Sequence, residues 1–117
     1  MKKMIALLAL TSSLSSMAAS DYTCSGTEPF WNLKLEGSKM TFSAAMEDES
    51  TTVNEVISRT GAAGMALDFA FVAKTEDAAA TIITGECSDG MSDAIYSNHI
   101  VYTTGDLVLY GCCNPLN

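Results

Sequence analysis

With 117 residues the chain has room for one domain and none to spare for a second. Fourteen carboxylates stand against six Lys and Arg, a formal net charge of −8 at pH 7. Such a surface repels phosphate backbones and anionic lipid, which sets nucleic acid and anionic membranes aside as partners and favours a basic protein or a cation. The plainer reading of the acidity is that it keeps an exported protein soluble.

Residues 1–19 read as a signal peptide. Lys2 and Lys3 form a positive start, Met4 to Leu10 a short apolar run, and Thr11 to Ser20 a stretch rich in small residues suited to cleavage. The apolar run is well short of the ~20 residues a bilayer span needs. No cysteine directly follows the small residues, so neither lipid attachment nor stable membrane insertion is expected. Cleavage takes away Lys2 and Lys3 and moves the formal charge from −8 to −10, leaving Lys34, Lys39, Arg59 and Lys74 as the bases. The expected location is the periplasm or the exterior, with residues 20–117 forming a single β domain.

Along that domain the hydrophobic period is two. A short strand is predicted at Tyr22 to Ser25. Trp31, Leu33 and Leu35 then alternate with Asn32, Lys34 and Glu36, and Met40, Phe42, Ala44 and Met46 with Thr41, Ser43 and Ala45. Met65, Leu67, Phe69 and Phe71 alternate with Ala66, Asp68 and Ala70 in the same way. Thr81 to Thr84, Ile100 to Tyr102 and Leu107 to Tyr110 are β-branched and aromatic runs. Turn signals lie between them at Gly37-Ser38, Glu47 to Ser50, Gly61 to Gly64, Thr75 to Asp77 and Thr104 to Asp106. The fold class is therefore all-β: about eight short antiparallel strands in an up-and-down barrel or a two-layer sandwich.

Four cysteines, Cys24, Cys87, Cys112 and Cys113, lie in the mature part. An even count in a short exported chain points to disulfides, and no C-x-x-C pair or second histidine supports a zinc site. Adjacent Cys112 and Cys113 cannot bond each other without strain. Successive strand residues face opposite ways, so each seeks its own partner among Cys24 and Cys87. Two pairings remain open at this point.

The longest stretch without strand character, Ser88 to Ala94, is where a site is expected, because loops carry function more often than strands. Asp89, Met91, Ser92 and Asp93, with Glu28 as a neighbour, are the candidate binding residues. Glu86, Asp89, Ser92 and Asp93 do not have the spacing of an EF-hand, and Asp-Gly is ordinary turn chemistry, so no metal is expected. Glu28-Pro29-Phe30-Trp31 reads as a strand entry with Trp31 filling the barrel end, rather than as a binding lip. Glu47-Asp48-Glu49 reads as a solvated hairpin tip, and His99, in phase with Val101, as a packed or surface residue. No G-x-S-x-G elbow is present, so no enzyme and no cofactor is expected.

Three segments are Cys24-x-Gly26-x-Glu28-Pro29-Phe30-Trp31-x-Leu33, Cys87-Ser88-Asp89-Gly90-Met91-Ser92-Asp93-x-x-Tyr96 and Leu109-x-Gly111-Cys112. Together they resemble a family of uncharacterised bacterial exported proteins and lipoproteins, sometimes found beside META-type domains. The resemblance implies an envelope location and a small β domain, with no known activity. This chain departs from the pattern in lacking a proline after Tyr96 and a lipid-attachment cysteine. Cys87 and Cys112 travel together in that family, which implies the pairing Cys87–Cys112 with Cys24–Cys113. At the level of fold alone, a disulfide-bonded envelope barrel is also similar to inhibitors of c-type lysozyme, whose active-site-plugging motif is not recognised here. The expected function is a non-catalytic binding or structural module of the bacterial envelope. Its alternatives are an inhibitor of an envelope hydrolase and a small-ligand carrier. The large inward-facing set Trp31, Leu33, Phe42, Leu67, Phe69 and Phe71 argues for a filled interior against the last.

Overall fold

The computed structural model describes residues 20–27, 29–45, 49–66 and 68–116. Residues 1–19, read from the sequence as a signal peptide, together with Glu28, Met46, Glu47, Asp48, Leu67 and Asn117, lie outside the described residues. Nine strands are found: β1 (Tyr22–Gly26), β2 (Trp31–Glu36), β3 (Lys39–Ala45), β4 (Glu49–Glu55), β5 (Ser58–Gly61), β6 (Ala70–Lys74), β7 (Ala78–Ser88), β8 (Ile95–Thr104) and β9 (Leu107–Pro115). They form one sheet in the order β4-β3-β2-β1-β9-β8-β7-β6-β5, every neighbouring pair antiparallel.

The two strands at the ends of that order are consecutive in the chain. Only Val56 and Ile57 separate β4 from β5, and eight antiparallel pairings lie between them, so both run the same way. They are one pass of the chain, bent at Val56–Ile57: the Val56 amide donates to the Ser38 carbonyl at 2.7 Å and the Ile57 amide to the Lys74 carbonyl at 2.8 Å. The sheet therefore curls into a half-barrel, with eight passes of chain and the bent strand bridging its two edges. A flat sheet or two separate layers would leave those edges too far apart for two residues to join.

The alternation expected from the sequence produces the core. Tyr22, Cys24, Trp31, Leu33, Leu35, Met40, Phe71, Ala73, Ala80, Ile82, Ile100, Tyr102 and Cys113 are buried in one cluster, with Phe42 packed against it. Phe42 and Tyr102 stack with centroids 4.6 Å apart, and Trp31 lies 5.9 Å from Phe42 and 6.3 Å from Tyr102. Trp31 is buried, in line with the strand-entry reading. Its indole lies against the backbone of Gly26 and Gly111, where an added Cβ would collide with it.

Two expectations are corrected. The strand predicted across Met65 to Phe71 begins only at Ala70. Residues 62–66, 68 and 69 are turns and irregular chain instead, with bonds from the Met65 amide to the Ala62 carbonyl and from the Phe69 amide to the Ala66 carbonyl. Met65 and Phe69 are exposed, and Phe71 enters the core. Alanine marks neither face, and Gly64 takes a positive φ of 82°, which favours a turn. Conversely, Glu49 and Ser50, read as turn, open β4. That strand has no apolar alternation, because its core-side positions Thr52 and Asn54 are polar.

One end of the half-barrel is tied by Arg59. Its guanidinium donates to the Ser20 carbonyl at 2.8 Å and the Gly37 carbonyl at 3.1 Å, and stands 5.5 Å from the centre of the Phe71 ring. Burial draws the Arg59 pKa down, opposed by the Asp21, Tyr22 and Asp68 groups around it. Asp21 completes the tie by accepting the Gly37 amide at 2.8 Å on its carboxylate and the Leu116 amide at 2.8 Å on its carbonyl.

Candidate functional site

Residues 89–94 join β7 to β8; Ser88, expected in the Ser88–Ala94 loop, instead closes β7 opposite Ile95, and the geometry at the loop's base follows from one irregularity. Thr84 pairs with Asn98, but the next pair is Cys87 with Tyr96, so β7 carries one extra residue there. Such a bulge bends a hairpin and raises its twist. Below the last β8–β9 pair, Asn98 with Cys113, the arm leaves the sheet and lies against β9 and β1. The Ser97 amide donates to Asn114 Oδ1 at 3.0 Å, and Cys87 bonds Cys112. A cleft of about 90 Å³ remains between arm and sheet, lined by Ser25, Gly26, Thr27, Ser88, Asp89, Tyr110, Gly111 and Cys112.

Both disulfides are present in the pairing implied by the family resemblance: Cys24–Cys113 inside the half-barrel and Cys87–Cys112 beneath the loop. Next to the second, the Tyr110 hydroxyl lies 3.6 Å from Cys87 Sγ and hydrogen-bonds His99 Nδ1. An oxidised sulfur has no proton to give, so in this contact the hydroxyl is the donor. His99 is thus a partly covered residue on the outward side of β8, engaged with Tyr110.

Within the loop, Asp89 Oδ1 accepts the Met91 amide at 2.9 Å and the Ser92 amide at 3.1 Å, while the Tyr96 hydroxyl donates to Oδ2 at 3.4 Å. These bonds, the Met91 amide foremost, hold the Asp89 carboxyl below the usual aspartate range. Ser88 Oγ accepts the Gly90 amide at 3.2 Å and Ser92 Oγ the Ala94 amide at 3.2 Å. Gly90 sits at a φ of 77°, which an L side chain resists. Asp89 and Ser92 are therefore occupied in shaping the turn. Met91 and Asp93 face solvent, Met91 with 59 % of its surface exposed, so it does not tuck into the core. Phe30, beside the undescribed Glu28, is also exposed. Among the described residues no group of three His, Cys, Asp or Glu is placed to hold a metal ion.

Sequence reasoning singled out this loop but missed the role of Tyr96 and Tyr110, whose hydroxyls reach into it and beneath it. The sequence signal for Tyr96 was its place in the segment that begins at Cys87, and for Tyr110 its nearness to Cys112.

Fold and loop together define a disulfide-stapled all-β half-barrel carrying a pinned, polar surface loop. Comparison with family models returned no match, and comparisons with curated proteins and with solved structures likewise returned none.

Proposed function

We propose that the chain is a non-catalytic binding module of the bacterial envelope, exported to the periplasm or beyond, and that the Ser88–Ala94 loop is its contact surface. The observation that carries this reading is the exposure of Met91 on a loop whose backbone is already held by Asp89 and by the Cys87–Cys112 bridge. A loop ordered before contact loses less entropy on binding, so more of each contact remains as affinity. Met91 offers an adaptable apolar side chain and Asp93 a carboxylate. The partner is accordingly a basic envelope protein with an apolar recess, attracted by the net charge of −8. Two disulfides fit an oxidising compartment, as does the resemblance to exported proteins. The inhibitor reading is a special case in which that recess is the cleft of a basic hydrolase. The carrier reading is not retained, because Trp31, Phe42 and Tyr102 fill the interior.

Capture from a periplasmic extract by the mature chain, repeated at high salt, tests the proposal. Met91→Ser combined with Asp93→Asn leaves the Asp89 turn intact. Loss of the captured partner at an unchanged melting temperature is the expected result, and undiminished capture would reject the loop as the contact.

A further inference from the structure

The half-barrel is closed at the bend of β4 into β5 but open beside β4 itself. That strand makes seven consecutive register pairs with β3 and, among the described residues, none on its other side. Which backbone groups are left over follows from the ladder. Val56 donates to Ser38, so residues 56 and 38 form a hydrogen-bonded pair. Alternation then makes Asn54/Met40 and Thr52/Phe42 the next bonded pairs and turns the amide and carbonyl groups of Thr51, Val53 and Glu55 to the open side.

Proteins usually blunt such an edge with charged side chains, lysine above all, or with proline or a bulge. β4, with the sequence ESTTVNE, has no lysine, proline or bulge, and its only charges are glutamates at its two ends. At the Glu55 end of the strand, against the bend, lies a cavity of about 350 Å³ lined by Asn54, Glu55, Ile57 and Glu76. Ile57 is 66 % and Val53 58 % exposed, so apolar surface is available together with the unpaired backbone.

We infer that β4 is a strand-addition site, taking an extended peptide segment of a partner protein whose basic residue lies at the Glu55–Glu76 end. A second copy of this chain is a poor occupant. Pairing the whole of β4 with itself makes Glu49 and Glu55 register partners at both ends, and like charges directly opposite repel. The net charge of −8 on each copy adds to that repulsion. The site is separate from the Ser88–Ala94 loop and does not depend on it.

The probe is a short blocked peptide of alternating Thr and Val flanked by Lys, compared with the same peptide flanked by Glu. Backbone amide exchange is read on the mature chain. The Lys peptide slows exchange at Thr51, Val53 and Glu55 by about tenfold, the equivalent of one net hydrogen bond, and the Glu peptide does not. Val53→Pro removes only an outward amide, so it keeps the fold and loses the peptide. Thr52→Pro breaks the ladder and lowers the melting temperature. Three results would overturn the inference: protection of Thr51 and Val53 in the free protein, equal binding of both peptides, or equal stability of the two proline variants. The exchange measurement on the unsubstituted chain decides independently of how either variant folds.

Discussion

Cys24 and Cys113 are direct register partners across the β1–β9 seam, with Cα atoms 4.0 Å apart and 89 residues of sequence separation. The bridge joins the first strand to the last at the point where the meander returns on itself. Cys87–Cys112 spans 25 residues and pins only the loop arm. By loop entropy the first contributes roughly 4 to 5 kcal/mol and the second roughly 3 to 4. Replacing each pair by alanine should therefore cost more stability at Cys24/Cys113, as read by urea unfolding. Equal losses would show that the seam is held mainly by its strand pairing.

Gly26 and Gly111 leave room for the Trp31 indole, and at Gly111 an added methyl would also overlap the Ser25 carbonyl. Gly111→Ala should lose roughly 1–3 kcal/mol by overpacking. Trp31 is the only tryptophan, so its fluorescence reports the displacement directly. An unshifted emission maximum with unchanged stability would contradict the packing.

Arg59 holds two carbonyls from separate segments through two different nitrogens of a rigid planar fork, a spacing that the three donors of an ammonium, all on one nitrogen, do not reproduce. Arg59→Met should lose roughly 2 kcal/mol, the range for charge-assisted bonds, and Arg59→Lys should recover little of it. Thermal melts of the three proteins check this. Full rescue by lysine would reduce Arg59 to a point charge.

Asp89 has its carboxyl pKa depressed by the loop amides, so its capping contribution is present above the unfolded aspartate pKa. It persists through mild acid and is lost only as pH falls through the lower folded value. Amide shifts of Met91 and Ser92 should titrate in step with the Asp89 carboxyl, below the range of free aspartates. Asp89→Ala should abolish that titration and loosen the loop, whereas Asp89→Asn, which keeps an acceptor oxygen, should retain the turn.

The sequence by itself determined the all-β class, the inward faces of β2 and β3, the turns at Gly37-Ser38 and within Thr104 to Asp106, and the loop after Cys87. Each is a local matter: alternation declares a face when large and polar residues differ, and glycine declares a turn when φ must be positive. Where the local code is silent, tertiary structure decided. Met65, Leu67 and Phe69 alternate as a strand would, yet the chain turns before Ala70, and β4 has Val53 as its one apolar residue, so pairing with β3 is what makes it a strand. The closure through Val56–Ile57 depends on how far the sheet curls, which is a sum over all its strands. The same holds for Asp89: its place in a turn was legible, but its donor Tyr96 stands opposite Cys87 across the β7–β8 hairpin, a register set by the bulge after Thr84.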